Sequence, residues 1–238
     1  MWCASHRSIQ NLVAGIVAVR LLIIGARQHA KVVAAVALEA LGESCSVVGF
    51  LDDDPSLAGT RLLDAPILGS IKELEKVAEE LMVDAALVGI SNRYMQLRDE
   101  VFRMIQRAGL QTPSVIHPTA FISPRAMVGQ GTVINPGVVV NAYAQIGSNC
   151  VIYSNSVIEH ETRLEDNVYV GPGVCFSSNA RVGRNAFLGA GVSVIPDIRI
   201  GTNSVVGAGS VVISDIPDNV TYAGVPARFI NHRERTRF

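Results

Sequence analysis

From Ile116 to Val212 every sixth residue is a large aliphatic, apart from one aromatic, Phe176. The series runs Ile116, Ile122, Val128, Ile134, Val140 and Ile146, then on through Ile158, Leu164, Val170 and Leu188 to Val206 and Val212, with no polar exception. Four residues after each aliphatic comes a small or β-branched side chain, among them Ala126, Thr132, Ala144, Cys150, Ser156 and Thr162. The position directly after the aliphatic is often glycine, as at Gly129, Gly147, Gly171, Gly183, Gly189, Gly201 and Gly207. A tight turn needing Gly or Asn at positive φ is expected after each short strand. A hexapeptide period of this kind is the signature of a β-solenoid. Three strands close one coil, so residues eighteen apart stack and bury one another's aliphatic side chains. An ordinary β-sandwich does not hold phase over so many intervals.

The remainder must be read with the bulk numbers. A chain of 238 residues has room for two domains. A hydrophobic fraction of 49% against 17% charged residues suits a packed protein with extensive subunit contacts. A net charge of −1 implies neither nucleic acid nor an anionic membrane surface as partner. The cysteines Cys3, Cys45, Cys150 and Cys175 show no paired metal spacing, and a reducing, cytoplasmic setting is the simpler expectation. Residues 1–19 read as an extension, disordered or upstream of the real start. Its apolar run, Leu12–Val19, is too short to span a bilayer and is followed by no clean cleavage site.

Residues 20–112 alternate strand and helix. Leu21–Ile24 is a buried strand ending at Gly25, and a helical pattern from Ala30 closes at Gly42. Ser46–Leu51 is a second strand, followed by Asp52-Asp53-Asp54-Pro55. Ser70 with Glu73 forms a capping box before Ile71, Leu74, Val77 and Leu81. Ala85–Ile90 is a third strand, and a helix from Tyr94 to Ala108 stops at Gly109. This is a small Rossmann-like parallel sheet with right-handed crossovers. The solenoid follows at 113–214, with a loop or tail at 215–238.

Ligands bind such sheets at the carboxyl ends of the strands. Gly25–Ala30, Asp52–Asp54 and Ser91–Arg93 fall there. Gly25-Ala26-Arg27-Gln28-His29 is not a dinucleotide fingerprint. It is either an unliganded strand–helix turn or a nucleotide pocket. In the second case helix amides face phosphates, Arg27 pairs with them, and Asp52 or Asp53 accepts from base or ribose. His29 either binds the acceptor's phosphate or sugar or holds the turn.

Several stretches together resemble the sugar O- and N-acetyltransferases typified by sialic-acid O-acetyltransferase and UDP-bacillosamine N-acetyltransferase, the NeuD/PglD family. They are Gly25 with His29-Ala30-Lys31-Val32-Val33, Gly49-Phe50-Leu51-Asp52-Asp53, Ile67-Leu68-Gly69-Ser70, His117-Pro118-Thr119-Ala120, Ser156-Val157-Ile158-Glu159-His160-Glu161 and Ala223-Gly224-Val225-Pro226-Ala227-Arg228. The resemblance spans Arg20 to Ile230 and implies a left-handed parallel β-helix, acetyl-CoA as co-substrate, no metal, and a homotrimer with the coenzyme between neighbouring solenoids. It also implies a nucleotide-sugar site at Arg27, Gln28, His29, Ala30, Asp52, Asp53 and Gly69. Coenzyme contacts are implied near Tyr169, Ala190 and Ala208, with the Ala223–Arg228 loop, Pro226 included, closing on the adenine end. The chain departs from the pattern at Arg27 and Gln28, where relatives carry small residues, and at Tyr169, where relatives commonly carry a second histidine.

His160 lies two residues beyond the inward Ile158, on a turn. Acetyl transfer from a thioester needs a base to take the acceptor's proton, and an imidazole suits that task. A carboxylate on the other ring nitrogen fixes the tautomer. Glu161 is the first choice for that role and Glu159 the second. Two solenoid histidines, His117 and His160, cannot supply the three ligands of a zinc carbonic anhydrase. The expected reaction is acetyl transfer to the amine of a nucleotide-linked 4-amino-4,6-dideoxy sugar, without a covalent enzyme intermediate. O-acetylation of a sialic-acid-like sugar is the alternative. A non-catalytic sugar-nucleotide-binding or assembly protein is the alternative of another class.

Overall fold

The computed structural model describes residues 18–233, so Cys3, the Leu12 apolar run and nearly all of the extension lie outside the described residues. The chain divides between Val115 and Ile116 into two compact units. The first contains strand β1 (Val19–Ile24), helix α1 (Gln28–Leu41), β2 (Cys45–Leu51), β3 (Arg61–Leu62), β4 (Ala65–Gly69), α2 (Leu74–Glu80), β5 (Ala85–Val88) and α3 (Met95–Arg107). The sheet order is β3-β4-β2-β1-β5. All pairings are parallel except β3–β4. Leu21, Leu22, Ile23 and Ile24 of the central strand are fully buried, which is why β1 reads as a continuous apolar run.

The β3–β4 hairpin was not expected from the sequence. Its turn residues Leu63 and Asp64 both adopt left-handed backbone, with φ of 46° and 62°. That is the geometry of a two-residue hairpin turn, made here without the glycine that usually marks it. Helix α1 starts at Gln28, two residues before the apolar pattern begins, with Arg27 at its N-cap position. The capping box is present: Ser70 and Glu73 each accept from the other's end of a short 3₁₀ turn that leads into α2. This turn and helix bury Ile71, Leu74 and Val77.

Two residues expected at a ligand turn are instead packed beneath it. Ala30 is fully buried, and a Cβ added at Gly89 would lie 2.8 Å from its methyl group. His29 is only 6% exposed. Burial, reinforced by the neighbouring Arg98 guanidinium, lowers its imidazole from the usual 6.5 to about 3. His29 is therefore neutral at physiological pH and offers no cation to a phosphate. Arg98 is itself buried and donates to the Ile90 carbonyl at the end of the β5 segment.

The second unit is a left-handed parallel β-helix of two-residue strands. Its first sheet runs from Val115–Ile116 through Val133–Ile134, Val151–Ile152, Tyr169–Val170, Phe187–Leu188 and Val205–Val206. The second contains Phe121–Ile122 to Val211–Val212, and the third Met127–Val128 to Arg199–Ile200. Partners are eighteen residues apart throughout, as in Val151↔Tyr169 and Ile158↔Phe176. The inward aliphatics from Ile134 to Val212 form one continuous core with the small inward residues Ala144, Cys150, Val174 and Ala186.

The glycines after the aliphatics serve a purpose other than the one expected. Left-handed backbone falls three residues after the aliphatic, at Asn149, Asn167, Asn185 and Asn203, with φ between 55° and 61°. Gly129, Gly147 and Gly189 are instead needed for approach: a Cβ at Gly147 would sit 2.6 Å from the Asp166 amide nitrogen of the next coil. The left-handed asparagines form a ladder, each amide nitrogen donating to the next coil's side-chain oxygen from Asn149 through Asn167, Asn185 and Asn203 to Asn219 at 2.8–3.0 Å. The described residues after Asp215, expected as a loop or tail, include two strands. Val220–Ala223 continues the first sheet in parallel beside Val205–Val206, and Arg228–His232 adds to it antiparallel.

Replacing Asn167 by Ala removes two buried hydrogen bonds and puts a Cβ-bearing residue without a side-chain amide at left-handed φ. It is expected to cost about 3 kcal/mol in denaturant unfolding, with Asn167→Gly costing about half as much. Equal losses for the two variants would contradict the backbone part of this account. For His29, the unfolded chain takes up a proton below the ordinary value of 6.5 whereas the folded chain does not until about 3. Stability therefore falls as pH drops through that window. Between about pH 7 and about pH 5 the parent should lose about 2 kcal/mol more than His29→Asn, as measured by thermal unfolding.

Candidate active site

Three corners join the three solenoid sheets, and the chemistry collects at two of them. His160 lies in the corner between the second and third sheets, after Val157–Ile158, with its side chain 59% exposed. Its Nδ1 stands 3.2 Å from Glu159 Oε2, and its backbone N–H donates to the same oxygen at 3.1 Å. The other Glu159 oxygen accepts from Asn141 Nδ2 at 3.0 Å. The carboxylate at the imidazole is thus Glu159 rather than Glu161. Glu161 occupies the left-handed position of the corner, with φ 60°. Asn141 was missed in the sequence reading. It lies eighteen residues before Glu159, and the coil period alone would have found it.

A proton held on Nδ1 by Glu159 leaves Nε2 with the lone pair, directed away from the carboxylate. An exposed imidazole oriented in this way can take a proton from an incoming acceptor. His117, the other solenoid histidine, is differently used: its Nδ1 accepts from the Thr119 amide at 3.1 Å, closing the first corner.

Of the residues expected near the coenzyme, Ala190, Ala208 and Pro226 share one column in the corner between the first and second sheets. Ala190 and Ala208 are exposed there on successive coils, linked by the Gly209 amide donating to the Ala190 carbonyl at 2.8 Å. The turn containing Pro226 follows above them, with the Val211 amide donating to Gly224 O at 3.1 Å and the Ala227 amide to Val211 O at 2.8 Å. Tyr169 sits apart from that corner. It is buried on the outer side of the first sheet between the rings of Tyr153 and Phe187, and its hydroxyl donates to that of Tyr153 at 3.1 Å. Within one solenoid, His160 and the Ala190–Ala208 column lie at opposite edges of the second sheet.

At the carboxyl edge of the α/β sheet, Arg27 is 67% exposed and ion-paired with Asp54. Gln28 is also exposed. Asp52 and Asp53 hold backbone: Asp52 accepts from the amides of Ala26 at 2.8 Å and Asp54 at 3.0 Å. Asp53 accepts from the Ser70 hydroxyl at 2.5 Å and the Ile71 amide at 2.9 Å. At Gly69 a Cβ would run into the Glu73 carboxylate that closes the capping box, so that glycine is accounted for by the fold. Among the described residues no group of His, Cys, Asp and Glu is placed to hold a metal ion. No described helix is long and apolar enough to cross a membrane.

Comparison with known proteins matches residues 20–105 to the PglD N-terminal domain and residues 110–207 to the GMPPB C-terminal domain. A search of curated proteins gave no match. Among solved structures, a histidine-to-asparagine mutant of perosamine N-acetyltransferase from Caulobacter crescentus, in complex with CoA and GDP-perosamine, is 34% identical. It has a TM-score of 0.82 over 89% of this chain and 97% of that one. The acetyltransferase domain of PglB from Neisseria gonorrhoeae FA1090, in complex with acetyl coenzyme A, is 31% identical, with a TM-score of 0.81 over 90% and 100%. WeeI from Acinetobacter baumannii AYE, 24% identical with a TM-score of 0.79 over 89% and 99%, shares the fold. At 34% identity to one such enzyme over 89% of this chain and 97% of that one, this chain belongs to the hexapeptide-repeat sugar N-acetyltransferases that carry a PglD-type amino-terminal domain.

Proposed function

We propose that this protein transfers acetyl from acetyl-CoA to the amine of a nucleotide-linked 4-amino-4,6-dideoxy sugar, with His160 as general base. The observation that carries the reading is the Glu159–His160 pair on an exposed corner. The chain that bears it is 34% identical to a protein whose structure holds CoA and GDP-perosamine, itself a nucleotide-linked amino sugar. The amine attacks the thioester carbonyl, the C–N bond forms, and the C–S bond breaks. The proton lost by nitrogen passes to His160 Nε2, and from there to the departing thiolate. Glu159 stabilises the imidazolium that exists between the two transfers. No serine or cysteine needs to carry the acetyl group.

Arg27 is the group best suited to the nucleotide's phosphates, since it is exposed, cationic and beside the first amides of α1. Its present partner Asp54 is held below the usual carboxylate range, first by the Ser56 hydroxyl and amide. Asp54 thus stays ionised while Arg27 exchanges it for phosphate. Gln28 stands beside it. Asp52 keeps this turn in shape through the Ala26 amide, Asp53 holds the neighbouring Ser70–Ile71 turn, and Ala30 and His29 support the Arg27 turn from below.

We further propose a homotrimer in which the Ala190–Ala208 column of one copy faces His160 of another. Placement of these residues at opposite edges of the second sheet supports a shared site. The outward Phe121, Val139, Val157 and Val211 on that sheet are apolar and at least partly exposed, so covering them removes apolar surface from water. The exposed free thiol of Cys175 suits a reducing compartment, and we place the protein in the cytoplasm.

His160→Ala should lower turnover by about a hundredfold or more in a thiol-release assay with nucleotide-linked amino sugars, while acetyl-CoA affinity is kept. Parental turnover in that variant would refute the base assignment. No turnover by the parent with any acceptor would instead favour a binding or assembly protein. Sedimentation should give the mass of three chains, and a monomer at assay concentration would remove the shared site.

A further inference from the structure

We infer that Asn141 is a positioning residue of the catalytic corner, acting on His160 through Glu159. The inference rests on the reading of His160 as base. Glu159 follows the strand Val157–Ile158 and has a half-exposed side chain. A carboxylate so exposed has no fixed orientation unless something holds it, because the rotamer freedom of a glutamate is worth more than one exposed contact. Here one oxygen is tied from the coil before, by Asn141 Nδ2 at 3.0 Å. That leaves the other oxygen for the His160 amide at 3.1 Å and the ring Nδ1 at 3.2 Å. Asn141 is in turn fixed by its backbone, whose N–H donates to Ile158 O at 2.9 Å and whose carbonyl accepts from the Ala144 amide at 3.2 Å.

The arrangement is specific to this column. Residues at the same corner position in the other coils are Ser123, Ser177, Ile195 and Ile213. Neither serine has the reach of an asparagine, and the isoleucines have no donor. Only the coil directly before the catalytic one places a neutral amide donor under the carboxylate. A neutral donor stabilises the carboxylate without competing for it as an ion pair would, so its charge remains available to the imidazolium.

The test is a double-mutant cycle with purified enzyme, acetyl-CoA and the best nucleotide-linked amino sugar from an acceptor panel. Asn141→Ala should lower kcat about tenfold with the KM for acetyl-CoA unchanged. The double variant Asn141→Ala/Glu159→Gln should be no slower than Glu159→Gln alone, within about twofold, since the amide has nothing left to orient. Asn141→Asp, nearly the same shape but set as a like charge beneath Glu159, should lose at least as much kcat as Asn141→Ala and serves if the alanine variant folds poorly. Parental kcat in both single variants overturns the inference. So do losses that multiply in the double variant, because a purely structural asparagine would act independently of Glu159. An active His160→Ala refutes the base reading itself, whereas an inactive His160→Ala with a fully active Asn141→Ala refutes only the positioning role.

Discussion

Successive coils of the solenoid lie one strand spacing apart, about 4.8 Å, and nearly every residue choice from Ile116 onward answers to that distance. It is too short for a Cβ at Gly129, Gly147 or Gly189, where the next coil's backbone already occupies the space. It is right for an amide side chain to reach its counterpart eighteen residues on, which is why Asn149, Asn167, Asn185 and Asn203 link into a ladder. It also stacks each inward aliphatic on the next, and the core side chains from Ile134 to Val212 are almost fully buried. A strand of two residues contributes little alone. The coil holds because every strand inside a sheet is paired on both sides by the coils before and after it.

The same distance builds the site. A residue in a corner has its chemical neighbours eighteen positions away, so function is assembled in columns. Ala190, Ala208 and the Pro226 turn make one column, small and exposed; Asn141 and Glu159 make another, polar and hydrogen-bonded. Between them lies the second sheet, whose inward side is sealed and whose outward side is partly apolar. No motion of a packed solenoid brings its two edges together. A reaction that needs both columns therefore needs two solenoids.

The solenoid was legible because its aliphatic period is dictated by burial alone and survives any choice of corner residue. The α/β order was legible for the same reason: Leu21–Ile24 and Ala85–Val88 are buried on both faces and read as unbroken apolar runs. The β3–β4 hairpin was not, since Leu63-Asp64 makes a left-handed turn with residues that carry no such signal. Nor could a linear reading tell a glycine required by φ from one required by a neighbour's backbone. At the carboxyl edge of the α/β sheet it assigned seven residues to a ligand. Burial removes His29 and Ala30 from contact, and backbone hydrogen bonds engage Asp52, Asp53 and the Gly69 region. Arg27, Gln28 and Asp53 are what the fold leaves exposed there.

The two carboxylates flanking His160 show why adjacency in sequence misleads at a corner. Glu159 directly follows the strand Val157–Ile158, and its side chain meets Asn141 of the coil before. Glu161, two residues on, has already turned into left-handed backbone, a position that elsewhere in the solenoid falls mostly to asparagine and glycine. A glutamate there costs the coil on the order of 1 kcal/mol relative to glycine. Which carboxylate serves the imidazole is thus decided by backbone hand at one residue and by the donor present one coil away. Neither property belongs to the Glu-His-Glu triplet itself. Both follow from the position of that triplet within an eighteen-residue coil, and the Glu159–His160 pair is as much a product of coil geometry as the aliphatic core is.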